Sequence, residues 1–284
     1  MRILVTGAGG MLGRDLVPVL SERHQVDGVD LDDFDLTAPG AVHQITSRRP
    51  EMVMHLAAMT NVDGCERDPE RAMLVNGQGT RNAVEACREL GIPMLYISTD
   101  FVFDGTKSEP YREDDPVNPL GHYGRSKLAG EEAVRQLLRE YYIVRTSWLF
   151  GPSGRNFVSS ILNKARENGE VRVVDDQTGS PTYTADLAGA LAELTESDKF
   201  GVYHLSNSGS CTWHGFASEA VRLAGIDARV VPIKSTEFQT PTRRPGYSVL
   251  GNYNWIGNFG RPLRDWREAL ADYVRLTEFT GGKQ

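Results

Sequence analysis

The stretch that most constrains this chain lies at its start. Residues 2–5 are a short apolar strand running into Thr6-Gly7-Ala8-Gly9-Gly10-Met11-Leu12-Gly13, and residues 14–23 then show helical periodicity. Strand, glycine-rich turn and helix in that order open a dinucleotide-binding fold, a context that an isolated glycine motif lacks. Gly7 permits the tight turn, Gly10 lets backbone approach a pyrophosphate, and Gly13 lets the helix pack close to the strand. Met11 and Leu12, in the turn beside them, are expected to bind the cofactor as well. The anion then lies at the helix N-terminus, where free N–H groups and the dipole favour negative charge.

The second strand, residues 25–29, ends at Asp30, where such a fold places an acid on the adenosine ribose hydroxyls and so favours NAD. Arg14, just past the last glycine, suits a 2′-phosphate and favours NADP. The two pull in opposite directions, and the preference stays open. Asp35 and Leu36 in the next loop flank the adenine, whereas Asp32 and Asp33 read as solvated turn residues. After a helix over 39–48, a third strand over 52–56 ends in Ala57-Ala58-Met59-Thr60, small enough for a flat cofactor to lie close. Residues 73–90 read as one amphipathic helix stopped by Gly91-Ile92-Pro93. Its Asn76 either orders the active-site strand or is satisfied internally.

The chemistry concentrates between Ile97 and Lys127. Residues 94–97 are a buried strand, so Ser98-Thr99-Asp100 emerges at its carboxyl end, where open parallel sheets bind ligands. Asn118-Pro119 offers an N-cap and a first-turn proline for a helix running to about residue 139. Tyr123 and Lys127 are four apart and share a face of it. An ammonium close by lowers a phenol's proton affinity, and the Thr99 hydroxyl reaches the same substrate oxygen. Together they would protonate a carbonyl oxygen as hydride reaches its carbon. Taken alone, Tyr-x-x-x-Lys recurs by chance on surface helices.

After a fifth strand over 141–146 the alternation loosens. Helices follow over 156–168, 183–195, 212–224 (capped by Thr212) and 263–276, with strands over 171–174 and 202–205. Residues 239–250 are irregular and basic, and residues 280–284 look frayed. The pattern predicts an α/β chain: a Rossmann-type doubly wound parallel sheet with a smaller C-terminal substrate-binding domain. The boundaries fall at 1–149, completed by parts of 183–206, for the dinucleotide-binding domain, and at 150–182 with 207–284 for the substrate domain.

Composition narrows the partners. The chain has 284 residues, a net charge of −7 and no basic block, which excludes nucleic acid as a main partner. No apolar run approaches a membrane span, and Met1-Arg2-Ile3 leads into a strand, not a signal sequence. A cytoplasmic protein is expected. Cys65, Cys87 and Cys211 form no Cys-x-x-Cys pair, and the histidines show no H-E-x-x-H spacing. No metal site is expected.

Thr6-Gly7-x-x-Gly10-x-x-Gly13 followed by Tyr123-x-x-x-Lys127 resembles the extended short-chain dehydrogenase/reductase family. More narrowly, five stretches resemble dTDP-4-dehydrorhamnose reductases: His55-Leu56-Ala57-Ala58-x-Thr60-x-Val62-Asp63, Ser98 through Gly105, Arg145-Thr146-Ser147-Trp148, Asp176-Gln177-x-Gly179-x-Pro181-Thr182, and Arg244-Pro245. The resemblance implies reduction of the 4-keto group of dTDP-4-dehydro-L-rhamnose by NADPH, with NADH also accepted. It implies Tyr123 as proton donor, Lys127 on the nicotinamide ribose, Thr99 at the reacting oxygen, and Asp100, Phe101 and Trp148 at the sugar. Ala57, Ala58 and Thr60 would line the cofactor cleft, and Arg244 would meet the sugar nucleotide's diphosphate. A monomer or homodimer is implied.

There are departures. Phe101 stands where the family commonly has tyrosine, and Tyr247 and Gly251 where it has a small polar residue and an acid. Asp15 falls near a magnesium position of some family dimers, but the remaining ligands are not recognisable. Dehydratases on this fold carry glutamate where Phe101 stands. Two rivals keep the same Tyr and Lys: nucleotide-sugar 4-epimerases, and the non-catalytic regulatory subunit of methionine adenosyltransferase.

Overall fold

The structure, a computed structural model, describes residues 1–238 and 240–280. β1 (Arg2–Thr6) passes through the glycine turn into α1 (Met11–Ser21), then β2 (Gln25–Val29), α2 (Ala41–Thr46) and β3 (Met52–His55). Two short helices not evident from periodicity follow, α3 (Val62–Arg67) and α4 (Pro69–Ala72). Each has a side-chain N-cap: Asn61 accepts the Gly64 N–H and Asp68 the Arg71 N–H. The single helix expected over 73–90 is instead a π-helical turn, Met73–Gly79, leading into α5 (Thr80–Leu90). The wider turn holds Asn76, which is fully buried. β4 (Met94–Thr99) is buried at every position, as a strand covered on both faces must be. α6 (His122–Leu137) and β5 (Tyr141–Thr146) complete this run.

The second half is made of shorter pieces: β6 (Leu149–Phe150), α7 (Phe157–Asn168), β7 (Glu170–Val174), β8 (Thr178–Gly179), β9 (Thr182–Tyr183), α8 (Thr184–Thr195) and β10 (Gly201–His204). β11 (Cys211–Thr212), α9 (Trp213–Leu223), β12 (Arg229–Ile233), α10 (Tyr253–Phe259) and α11 (Trp266–Thr280) end the chain. The Thr212 hydroxyl caps α9 through the Gly215 N–H, as its position predicts. β12 and α10 were not legible as elements. β12 carries Pro232 and is only partly buried, so it lacks a strand's apolar signature. α11 begins at Trp266, three residues later than expected, because Asp265 is still bridged to Ser208. The fraying expected over 280–284 lies, beyond Thr280, outside the described residues.

Six strands pair in parallel in the order β10-β5-β4-β3-β1-β2. Strand order reverses between β1 and β3, the switch point at which such sheets open a crevice at their carboxyl ends. Leu16 and Leu20 of α1 pack with Leu187 and Leu191 of α8 on one face. Ile45, Val84 and Val134 from α2, α5 and α6 cover the other. The sheet is therefore doubly wound. A separate core around Phe150, Phe216 and Trp266 joins α7, α9 and α11 to the β7–β12 pair. Each fully buried side chain of this size contributes roughly 1.5–3 kcal/mol, so these layers hold the two-residue ladders between them in place. Among the described residues, no helix is long and apolar enough to cross a membrane.

Candidate active site

A cavity of about 690 Å³ opens at the carboxyl ends of β1, β3 and β4 and extends to Trp148, Trp213 and Arg244. All the site residues expected from sequence line it except Arg14: the glycine turn and its Met11 and Leu12, Asp30, Asp35 and Leu36, Ala57, Ala58 and Thr60, Thr99 through Phe101, Tyr123, Lys127, Trp148 and Arg244. Arg14 is exposed, and its Nε donates to the Gly9 carbonyl at 2.9 Å, so the guanidinium folds back over the turn. It stays beside the turn, at the rim of the cavity's glycine end.

The glycine turn is shaped for a large ligand. Gly7 has φ +75°, and a Cβ there would lie 2.7 Å from the Ala57 nitrogen, so only glycine lets β1 and the loop after β3 meet. At Gly13 a Cβ would strike the carbonyl oxygens of Gly7 and Ala8 at 2.5 Å, so the close approach is to the turn itself and not to the strand. Asp30 accepts the Gly9 N–H at 2.6 Å and lines the cavity beside it. Backbone donors around a glycine cradle, an acid at the end of β2 and small residues at the end of β3 together fit a dinucleotide.

Above the cavity the helix carrying Tyr123 and Lys127 is secured from outside its own sequence. It starts at His122, not at Asn118-Pro119, and its N-cap Gly121 has no side chain. Glu66 of α3 accepts the His122 N–H at 2.6 Å instead, while the Asn118 amide donates to Asp104 at 3.2 Å. One turn in, Gly124 meets the strand end so closely that a Cβ would fall 2.1 Å from the Phe101 carbonyl oxygen. Asn76 ties the same helix to the loop after β3, accepting the Met59 N–H at 2.7 Å and donating to Ser126 at 3.0 Å. Ser126 in turn donates to the Tyr123 carbonyl at 2.8 Å. Asn76 is therefore satisfied internally, and its partners lie in the loop after β3 and on α6, not on the active-site strand β4.

Thr99 hydrogen-bonds Asp100 at 3.1 Å and caps the Phe101 N–H at 3.2 Å. The Phe101 ring meets Tyr123 edge-on at 5.5 Å. Burial raises the Tyr123 phenol's pKa, with the Thr99 hydrogen bond opposing and Asp100 adding to the rise. Lys127, 3% exposed, is lowered to about 7 by burial, against the opposing pull of Glu131, and its Nζ lies 4.2 Å over the Tyr96 ring. The expected lowering of the phenol by the ammonium is thus overturned in the free protein, because desolvation disfavours both charged forms. Asp100 is pushed up to about 6 by burial, and its Oδ2 has no hydrogen-bond partner.

One turn beyond Lys127 lies Glu131, fully buried. It accepts Ser98 at 2.7 Å and Arg145 at 2.8 Å through both carboxylate oxygens. This pair binds α6 to the ends of β4 and β5 and so sets Tyr123 against Thr99. Burial pushes the Glu131 carboxyl up, but Arg145, Ser98 and Arg135 outweigh it and hold it below its ordinary value.

The far wall is assembled from distant segments. Trp148 and Trp213 stack with centroids 3.4 Å apart and planes at 8°. Arg244 lies 3.7 Å from Asp63, with its Nε buried and unpartnered. Sequence reasoning missed Trp213 and Arg71 as lining residues, though a tryptophan directly after the Thr212 cap was a usable signal. Asp15 is hydrogen-bonded by Thr184. No cluster of metal-ligating side chains exists among the described residues.

Residues 1–278 match the family described as RmlD substrate binding domain. A dTDP-4-dehydrorhamnose reductase of Streptomyces griseus is 45% identical over 95% of this chain and 92% of its own length. The crystal structure of a dTDP-4-dehydrorhamnose reductase from Clostridium acetobutylicum superposes with a TM-score of 0.95 at 41% identity, covering 98% of this chain and 100% of that one. A dTDP-4-dehydrorhamnose reductase of Bacillus anthracis in complex with NADP gives 0.92 at 38% identity, covering 96% and 98%. With a match across nearly every residue and relatives well above 30% identity, the chain belongs to the RmlD substrate binding domain family.

Proposed function

We propose that this protein is an NADPH-dependent reductase that converts the 4-keto group of dTDP-4-dehydro-L-rhamnose to the alcohol of dTDP-L-rhamnose, with NADH as a second donor. The carrying observation is that Tyr123, partly buried, lines the same cavity as Thr99, Lys127 and the glycine turn, with desolvation raising its phenol's pKa. NADPH bound there supplies the hydride. The turn's N–H groups at the start of α1 hold its pyrophosphate, and Ala57 and Ala58 leave room for its flat surface. Tyr123, whose pKa is raised, remains an acid at neutral pH and gives its proton to the carbonyl oxygen as negative charge develops there. Thr99 supports the same oxygen, and Lys127 holds the cofactor ribose while favouring the phenolate left behind. Phe101 packs its ring on Tyr123 where a dehydratase needs a carboxylate, which favours simple reduction.

Asp100 and Trp148 are assigned to the sugar and Arg244 to the diphosphate, whose charge its unpartnered Nε would answer. On this reading residues 1–149 with parts of 183–206 bind the cofactor, and 150–182 with 207–284 close over the sugar nucleotide. The work is cytoplasmic, where the three free thiols stay reduced. The test is absorbance of the reduced nicotinamide with purified protein, NADPH or NADH, and enzymatically generated dTDP-4-dehydro-L-rhamnose. Cofactor loss matched one for one by dTDP-L-rhamnose supports the reading; bound cofactor without consumption would sink it.

A further inference from the structure

Trp148 has a backbone that a bulky residue rarely adopts, with φ +48° in the left-handed region. Such a conformation persists only where its surroundings over-determine it. Here the straps are visible. The Thr182 N–H donates to the Trp148 carbonyl at 3.2 Å, and the Ser147 hydroxyl donates to the Ser180 carbonyl at 2.6 Å. The side chain is held as firmly. Trp213 covers one face of the indole at 3.4 Å, nearer than stacked rings usually sit. Against the same indole lies the Gly179 backbone, so close that a Cβ would fall 2.4 Å from Cε2 and 2.6 Å from Nε1. The Trp213 ring and the Gly179 backbone thus both press on the indole.

Both jaws come from one small device. β8 and β11 pair antiparallel, Gly179 opposite Cys211 and Thr178 opposite Thr212, and Trp213 follows directly as the first residue of α9. Phe157 backs Trp213 at 4.5 Å. Trp148 and Trp213 line the cavity together with Thr99 and Tyr123.

We propose that Trp213 and Gly179 are positioning residues for the sugar end of the site, clamping the Trp148 indole as a fixed wall that sets the pyranose against Thr99 and Tyr123. The inference rests on the proposed function for the identity of the ligand. Held by the Trp213 ring and the Gly179 backbone, the Trp148 indole contributes a fixed shape to the cavity wall. Because the wall is rigid before binding, substrate pays no cost to order it. A misplaced wall is costly, since a shift of about 1 Å in substrate position can lower turnover about a hundredfold.

The experiment compares wild type with Trp213→Ala, Trp213→Phe and Gly179→Ala. Calorimetric titrations with dTDP-L-rhamnose and, separately, NADPH are paired with steady-state kinetics and the circular-dichroism couplet of the stacked indoles. Trp213→Ala and Gly179→Ala should weaken sugar-nucleotide binding about tenfold or more and lower kcat, with NADPH affinity within about twofold of wild type. Trp213→Phe should lose the couplet but recover most of the binding, which a general loss of folding would not allow. Unchanged binding and kcat in Trp213→Ala, with the couplet gone, would overturn the clamp. Wild type that neither binds nor forms dTDP-L-rhamnose would overturn the proposed function and the inference with it.

Discussion

The cofactor-side wall of the cavity runs from Gly7 to Gly13 and the neighbouring ends of β1, β2 and β3, whereas the far wall gathers Trp148, Trp213 and Arg244 from three separate segments. The first wall is backbone: a turn whose shape follows from glycines at fixed spacing, set on a parallel sheet that is covered on both faces. The second is side chain, held by two-residue ladders, an aromatic clamp and the Arg244–Asp63 pair. α6 stands between them, fastened by Glu66 and Asn76 from other parts of the chain and by its own Glu131, which accepts from Ser98 and Arg145. A backbone cradle suits a cofactor that every turnover shares, and a side-chain wall can change its ligand by single substitutions without disturbing the sheet.

The sharpest test of that division acts between the walls. Tyr123→Phe should lower kcat about a thousandfold while NADPH and sugar-nucleotide affinities stay near wild type, because only the transferred proton is removed. Single-turnover kinetics with paired binding titrations would check it, and retained activity would displace Tyr123 as the acid. Gly7→Ala should strike the cofactor wall alone. Its Cβ meets Ala57 at a positive φ, so NADPH affinity should fall about a hundredfold, at a stability cost of roughly 1–3 kcal/mol. Calorimetry and thermal melts would measure both, and unaltered cofactor binding would break the comparison.

Asp100 links the walls to pH. Its carboxyl is raised from 3.8 to about 6, so between about pH 4 and pH 6 the folded protein keeps a proton that the unfolded chain releases. Stability should therefore fall as pH rises through that window and level off above it, by up to roughly 3 kcal/mol. Asp100→Asn should flatten the profile in denaturant titrations and be the more stable form at neutral pH; a persisting slope would point to another group. The smallest effect is expected at the far wall. Arg244→Ala should raise KM for the sugar nucleotide about tenfold with NADPH affinity unchanged, as loss of one charge-assisted contact predicts. An equal loss for both ligands would show that Arg244 serves both walls.

Legibility in the sequence follows the same line. The glycine turn, Asp30, Ala57-Ala58, Thr99 and the Tyr123–Lys127 spacing were readable because each depends on near neighbours and on the direction of a strand. The direction Arg14 takes was not readable, because proximity in sequence says nothing of which way a long side chain folds, and Gly9 offers it a carbonyl. The start of α6 was misread because its cap comes from Glu66, 56 residues away. The π turn around Asn76 has apolar spacing too close to an α-helix to be told apart by pattern.

By itself, then, the sequence determined the doubly wound sheet, the cofactor cradle and the chemical types at the reacting centre, since periodicity, glycine placement and i,i+4 spacing are local properties of a chain. Only the tertiary structure decided the direction in which burial shifts Tyr123 and Lys127, the stacking of Trp213 on Trp148 and the fastening of α6. Those depend on burial and on contacts between residues far apart in sequence, and desolvation is a property of the whole packed molecule that no short stretch encodes.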